Sequence, residues 1–181
     1  MDTNTINVYD TNAQKYDEVS MWPDRYNIVH EWEKKFVETL PKSGARVCDY
    51  GCGTGKSALY FAQCGHICDA FDASEGMLVI ARKNCAGENV KLEQMVFNDF
   101  KADEDTYDGI WASYSLLHAP KHDVPALLAT IHKALKVGGT FYVCLKLDEI
   151  DEERNDKGML YTYFKQEEVE ALLCNAGFKV K

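Results

Sequence analysis

Residues Arg46-Val47-Cys48-Asp49-Tyr50 run straight into Gly51-Cys52-Gly53-Thr54-Gly55, and an apolar helical pattern follows over residues 57–64. A short strand, a glycine-rich turn and a helix in that order begin a βαβ unit, which demands a parallel neighbour and a crossover. The alternation continues. Strands are predicted over 67–71, 90–97, 109–112 (led in by Tyr107-Asp108) and 140–145. Helices are predicted over 75–85, 124–135 (ended by Gly138-Gly139) and 166–175 (closed by Gly177). Right-handed crossovers then give an α/β fold with a doubly wound, mostly parallel sheet and helices on both faces. Ligands in such sheets bind beyond the carboxyl ends of the strands, so Asp49-Tyr50-Gly51 marks the place to look.

Ahead of the sheet, Ile6, Tyr9, Ala13, Tyr16 and Val19 recur at helical spacing, and Met21-Trp22-Pro23-Asp24 breaks the pattern. Ile28, Val29, Trp32, Phe36 and Leu40 mark a second helix, stopped by Pro41 and the Ser43-Gly44 turn. A single domain of residues 1–181 is expected, with a helical cap over 1–41 and the core over 45–181.

Twenty Lys and Arg against 29 Asp and Glu give a net charge of −9, with no basic run. Such a surface disfavours nucleic acid and anionic membrane partners. No stretch reaches the ~20 apolar residues of a membrane span, and residues 1–7 lack an apolar signal-peptide centre, so a cytoplasmic protein is expected. The seven cysteines form no Cys-x-x-Cys pair and read as reduced thiols. His118 and His122 have helical ligand spacing, but Pro120 lies between them and no third ligand is evident, so no metal is expected.

Three ligand loops compete for residues 49–57. A P-loop fits Gly55-Lys56-Ser57 but needs glycine where Tyr50 stands. A dinucleotide G-x-G-x-x-G loop fits Gly51 and Gly53 but meets Lys56 at its third glycine. The G-x-G-x-G reading takes Gly51, Gly53 and Gly55 together, preceded by Asp49. It suits a nucleoside with a cationic tail, because glycines admit close backbone approach and a carboxylate welcomes an ammonium and a sulfonium.

Further acids end the next strands. Asp72 follows Asp49 at close to the ~20-residue offset of a ribose-binding acid; the alternative is a helix cap for the segment after it. Asn98-Asp99-Phe100 follows the third strand, where Asp99 could accept from an adenine amino group and Phe100 could cover its ring; the alternative is a turn aspartate.

The ordered set of residues 47–55, Asp72-Ala73-Ser74, Asn98-Asp99-Phe100, Tyr107-Asp108-Gly109-Ile110 and Gly138-Gly139 resembles the motifs of class I S-adenosylmethionine-dependent methyltransferases, most closely the small bacterial-type enzymes with a helical N-terminal cap. The resemblance spans residues 9–180 and implies a Rossmann-like core with S-adenosyl-L-methionine as cofactor. It puts Gly51, Gly53 and Gly55 at the methionine tail, Asp72 at ribose, Asp99 at adenine, and Ser113 and Tyr114 at the methionine end. Asp49, Tyr16, Ala73, Met77, Asn98 and Phe100 complete the expected lining.

In-line displacement at a sulfonium methyl has a neutral leaving group and needs a base only if the acceptor arrives protonated. His118, just past the fourth strand, is the candidate base; packing is the equal alternative. Tyr9 and Tyr16, seven residues apart, face one way and either close over the site or pack in the core. A small-molecule acceptor is expected. The competing functions are an NAD- or ATP-dependent enzyme and a non-catalytic adenosylmethionine-binding module. Residues 148–157 read as a charged loop after the fifth strand, with 159–164 packing beneath it. The family's sheet ordinarily has seven strands, and residues 178–181 look like the start of a sixth. The C-terminal strands are therefore expected to be truncated, leaving the fifth strand with an open edge through which the protein could oligomerise.

Overall fold

The computed structural model describes residues 2–20 and 23–181, with side chains outside residues 20–26. Helices α1 (Thr3–Ser20) and α2 (Pro23–Glu38) precede the sheet. The break expected over Met21-Trp22-Pro23-Asp24 rests on Met21 and Trp22, which lie outside the described residues. Pro23 begins α2, where its fixed φ and missing N–H suit a first helical position.

Strands β1 (Arg46–Tyr50), β2 (Ile67–Asp72), β3 (Val90–Gln94), β4 (Tyr107–Ser113) and β5 (Leu135–Cys144) pair in parallel in the order β3-β2-β1-β4-β5. Helices α3 (Lys56–Gln63), α4 (Glu75–Asn84), α5 (Val124–Ala134) and α6 (Gln166–Asn175) complete the doubly wound core. The strand order reverses between β1 and β4, which is where the glycine loop leaves the sheet.

Alternation along the strands feeds two cores. Val47, Ala70 and Trp111 pack with Phe36 of α2 and Phe61 of α3, while Cys48, Tyr50 and Ile110 pack with Leu128 and Ile131 of α5. Burying each large side chain stabilises by ~1.5–3 kcal/mol. Phe36 lies 5.3 Å from both Phe61 and Trp111, so α2 is bound to the sheet by its own apolar stripe.

Four boundaries differ from expectation. β3 ends at Gln94 instead of residue 97, because Phe97 turns inward to stack on Tyr50 at 5.1 Å and the chain closes a 3-10 turn, Phe97–Asp99. β5 starts at Leu135 and contains Gly138-Gly139, with a register shift opposite Tyr107 and Gly109 where the left-handed Gly138 inserts a bulge. The charged segment 148–157 is not all loop. It contains β7 (Glu152–Arg154), which pairs antiparallel with β8 (Leu160–Phe164), itself parallel to β6 (Lys146–Leu147). The reversal is made by Asn155, whose side chain accepts from the amides of Lys157 and Met159. Residues 178–181 form no strand. The Phe178 and Gly177 amides donate back to Leu173 and Cys174 of α6, and the Phe178 ring packs on Phe141 at 5.1 Å.

Among the described residues no strand lies outside β5, so its outer edge is open, as is that of β3 at the other side of the sheet. No helix among them is long and apolar enough to cross a membrane.

Candidate functional site

The glycine loop folds back on β2. The amides of Gly51 and Cys52 both donate to the Phe71 carbonyl, at 3.1 and 2.9 Å. Gly51 has φ +82°, and a Cβ there would lie 2.5 Å from the Ser115 Cβ, so both backbone and space require glycine. The turn delivers the chain to the N-terminus of α3, which begins at Lys56.

Asp49, the penultimate residue of β1, is 3% exposed. Its carboxyl receives a hydrogen bond from the Ala58 amide, yet its buried Oδ2 has no partner. Burial, with the Glu33 charge nearby, pushes this carboxyl well above the usual carboxylate range. Glu33 of α2 is itself 5% exposed and accepts from the Ser57 hydroxyl at 2.6 Å. The loop is thus ringed by acid, and a buried carboxylate oxygen waiting for a donor suits a cationic ligand and repels a pyrophosphate.

Asp72, at the end of β2, ties the loop to α4. Its Oδ2 accepts from the Gly53 amide at 2.8 Å and its Oδ1 from Ser74 at 2.9 Å. Burial raises its pKa, opposed by those amides. The helix-cap alternative falls to Ser74, whose hydroxyl accepts from the Met77 amide, leaving carboxylate lone pairs on Asp72 for a diol. Asp99 and Asn98 are exposed on the 3-10 turn after β3, with Asn98 donating to Asp123. Ala73 is buried, with its carbonyl held by Gln94.

Two expected lining residues are buried in the core. Phe100, expected to cover adenine, is 4% exposed and stacks on Phe71 at 5.4 Å inside the core, because the chain turns inward on leaving Asp99. Met77 is 1% exposed beneath the first turn of α4. Ser113 ends β4 and Tyr114 follows it at the carboxyl edge of the sheet. Tyr114 has φ +53° and is exposed, with its amide donating to the Cys144 carbonyl.

Helix α1 lies across this edge, held at points the sequence does not advertise. Asp10 accepts from the Ser74 hydroxyl at 2.6 Å and the Gly76 amide at 2.9 Å, so it caps α4 from another helix. A Cβ on Gly76 would lie 2.7 Å from the Asp10 carbonyl oxygen. Lys56, the residue that spoils the dinucleotide fingerprint, donates to the Asp17 carbonyl at 2.6 Å and pairs with its carboxylate at 3.0 Å. At the far end, Thr5 accepts from the Leu160 amide at 2.9 Å. Tyr16, 38% exposed, meets Tyr9 edge-on at 5.7 Å.

His118 is 3% exposed and joins α1 to β8. Its Nδ1 lies 2.7 Å from the Leu160 carbonyl, which can only accept, so Nδ1 carries the proton. Nε2 is then the acceptor for the Tyr9 hydroxyl at 2.6 Å. Burial pulls its pKa down to about 4, against the help of the Leu160 carbonyl. Tyr161 lies 5.0 Å from the imidazole, and the Lys146 ammonium sits 4.0 Å over the Tyr161 ring. No sequence signal joined residues 9, 118, 146 and 161.

Residues 47–139 match a family described as a methyltransferase domain. The chain is 31% identical over 139 residues to a demethylmenaquinone methyltransferase of Clavibacter sepedonicus, covering 71% of this chain and 55% of that protein. It is 30% identical over 145 residues to a demethylmenaquinone methyltransferase of Thermobifida fusca, covering 76% and 58%. The chain therefore spans little more than half the length of these relatives. In fold it is similar to the Burkholderia thailandensis 1,6-didemethyltoxoflavin-N1-methyltransferase, with a TM-score of 0.70 at 24% identity over 97% of this chain and 81% of that one.

Proposed function

Because the chain belongs to the methyltransferase-domain family of class I S-adenosylmethionine-dependent enzymes, we propose that it moves a methyl group from S-adenosyl-L-methionine to a small-molecule acceptor by in-line displacement. The observation that carries this reading is the orphaned Oδ2 of Asp49, a buried acceptor beside a glycine loop ringed by acid. An ammonium is the ligand group that satisfies it. The bound cofactor supplies a methyl group activated by a sulfonium.

The protein's part is placement. Asp49 takes the ammonium, the backbone of Gly51, Gly53 and Gly55 lies against the tail, and Asp72 uses its free lone pairs on the ribose diol. Asp99 and Asn98 meet the adenine edge. Ala73, Ser113, Tyr114 and Tyr16 line the remaining wall, with α1 shielding the site from water. Holding reactants in attack geometry supplies up to ~7–11 kcal/mol in favourable cases. His118 is a positioning residue in this reading. Both nitrogens are engaged, and a base role would need Tyr9 to leave Nε2 and an imidazolium to form where burial disfavours it. The relatives' names, which concern a quinone and a toxoflavin precursor, support a small conjugated acceptor.

The test is thermal stability with adenosylhomocysteine, NAD, or ATP and magnesium. Adenosylhomocysteine at 100 times its Kd should add ~2.7 kcal/mol. Stabilisation by NAD or ATP without it would sink the reading.

A further inference from the structure

We propose that Lys146 binds the acceptor as an oxyanion, so that the substrates of this site are conjugated compounds bearing an ionisable hydroxyl, of the phenol or enol type. The inference rests on the methyl-transfer reading above and adds the chemical class of the acceptor.

Lys146 sits at the carboxyl end of the sheet, two residues past β5, in the two-residue strand that pairs with Tyr163 and Phe164. Its ammonium lies 4.0 Å over the Tyr161 ring and 5.9 Å from that of Tyr163. The Tyr161 ring is 5.0 Å from His118, which holds the Tyr9 hydroxyl. The cation therefore belongs to the aromatic wall under α1.

Its surroundings set it apart. Half-buried cations of this chain pair with acids, as Lys56 does with Asp17 and Lys121 with Glu168. Among the described residues no carboxylate lies within ion-pair distance of Lys146, in a chain of net charge −9. The neighbouring acids are already engaged. Glu153 accepts from the Tyr163 hydroxyl, Asp2 from Arg154 and Thr5, and Asp148 from the Glu149 amide. A half-buried ammonium with only ring faces against it has spare donors for an oxyanion on a flat ligand.

Such an acceptor removes the need for a base. Its oxygen forms the bond to the methyl carbon as the carbon–sulfur bond breaks, and the electron pair of that bond stays on sulfur. Anion and sulfonium neutralise each other, and no proton joins a protein group. That accords with a neutral His118 whose ring nitrogens are both in use.

The probe is 4-nitrophenol, whose colour reports its own ionisation, titrated into the full chain saturated with adenosylhomocysteine. Its apparent pKa should fall by about 1 unit or more on binding, the effect of an adjacent opposite charge. Lys146→Met should abolish the shift and Lys146→Arg should retain it, with both variants still stabilised by adenosylhomocysteine. No shift in the wild type, an equal shift in Lys146→Met, or Lys146-dependent binding of 4-nitrobenzoate in place of 4-nitrophenol would overturn the proposal. Absence of stabilisation by adenosylhomocysteine in the wild type would instead overturn the methyl-transfer reading itself.

Discussion

The two halves of the site are built on opposite electrostatic plans. Around the glycine loop, Asp49, Glu33, Asp72 and Asp10 crowd together, and Asp49 keeps an unpartnered buried oxygen. Under the far end of α1 the groups are a neutral imidazole, three tyrosines and a lysine with ring faces for neighbours. On the proposed reading one half takes a cation, and burial disfavours the charged form of Asp49 until that cation arrives. The other is satisfied internally and keeps a positive charge in reserve. On that reading cofactor binding would partly relieve the cost of burying Asp49, whereas acceptor binding would not.

The largest expected effect breaks the acidic half. Asp49→Asn should weaken adenosylhomocysteine by about 3 kcal/mol, on the order of 100-fold, the worth of a charge-assisted bond to a buried ammonium. The same substitution should raise the melting temperature of the free protein, since it removes a buried carboxylate that burial disfavours. Calorimetry and thermal melts on one preparation check both signs. Unchanged affinity, or a destabilised free protein, would end the idea of stored strain.

Acid should pull the halves apart. The folded pKa of His118 is depressed from 6.5 to about 4, so the unfolded chain takes up its proton first. Its contribution is intact above pH ~6.5 and is lost as pH falls toward ~4, amounting to about 3 kcal/mol. Asp49 has the opposite sign: its folded pKa is raised, so the folded protein gains stability as pH falls through that value. Chemical denaturation of wild type and His118→Gln between pH 4 and 7 checks this. The wild type should lose stability across that window, and the variant should lose much less. Parallel curves would refute a neutral buried His118.

Two smaller effects sharpen the comparison. Asp72→Ala should cost cofactor affinity about 2 kcal/mol through the lost diol bonds, and some stability through the freed Gly53 and Ser74 amides. Tyr9→Phe should cost about 1 kcal/mol of stability by orphaning Nε2 of His118, with cofactor affinity almost unchanged. A Tyr9→Phe variant that loses adenosylhomocysteine affinity instead would mean that the two halves are one site.

The acidic half is also the legible one. Asp49, Gly51 and Asp72 lie within one βαβ unit, where backbone geometry ties order to position, so spacing points to them, whereas Glu33 and Asp10 come from the two cap helices and carry no such signal. Lys56 carried a signal as well. A lysine where a dinucleotide loop has glycine argues for a different partner, and that partner is Asp17 of α1. The aromatic half offers no spacing to read, because Tyr9, His118, Lys146 and Tyr161 come from four separate elements. Phe100 and Met77 were placed at the mouth by their motif neighbours, yet apolar side chains beside a sheet gain more from the core than from a rim. The bulged β5 and the second small sheet were missed because their turns depend on Gly138 and Asn155, which look alike in a loop and in a strand.

The way α1 is fastened has a consequence for how the chain assembles. Its polar anchors reach 64 residues ahead to Ser74, 109 to His118 and 155 to Leu160. Loop closure over such spans is slow compared with the local strand-helix-strand units of the core. An element that precedes the whole core in the chain is therefore among the last to find its place. Until β8 has been made and paired, Thr5 lacks its Leu160 partner and the far end of α1 is unfastened. A nascent chain would offer its ligand edge before its cover, and hydrogen exchange should find α1 among the first segments to let go.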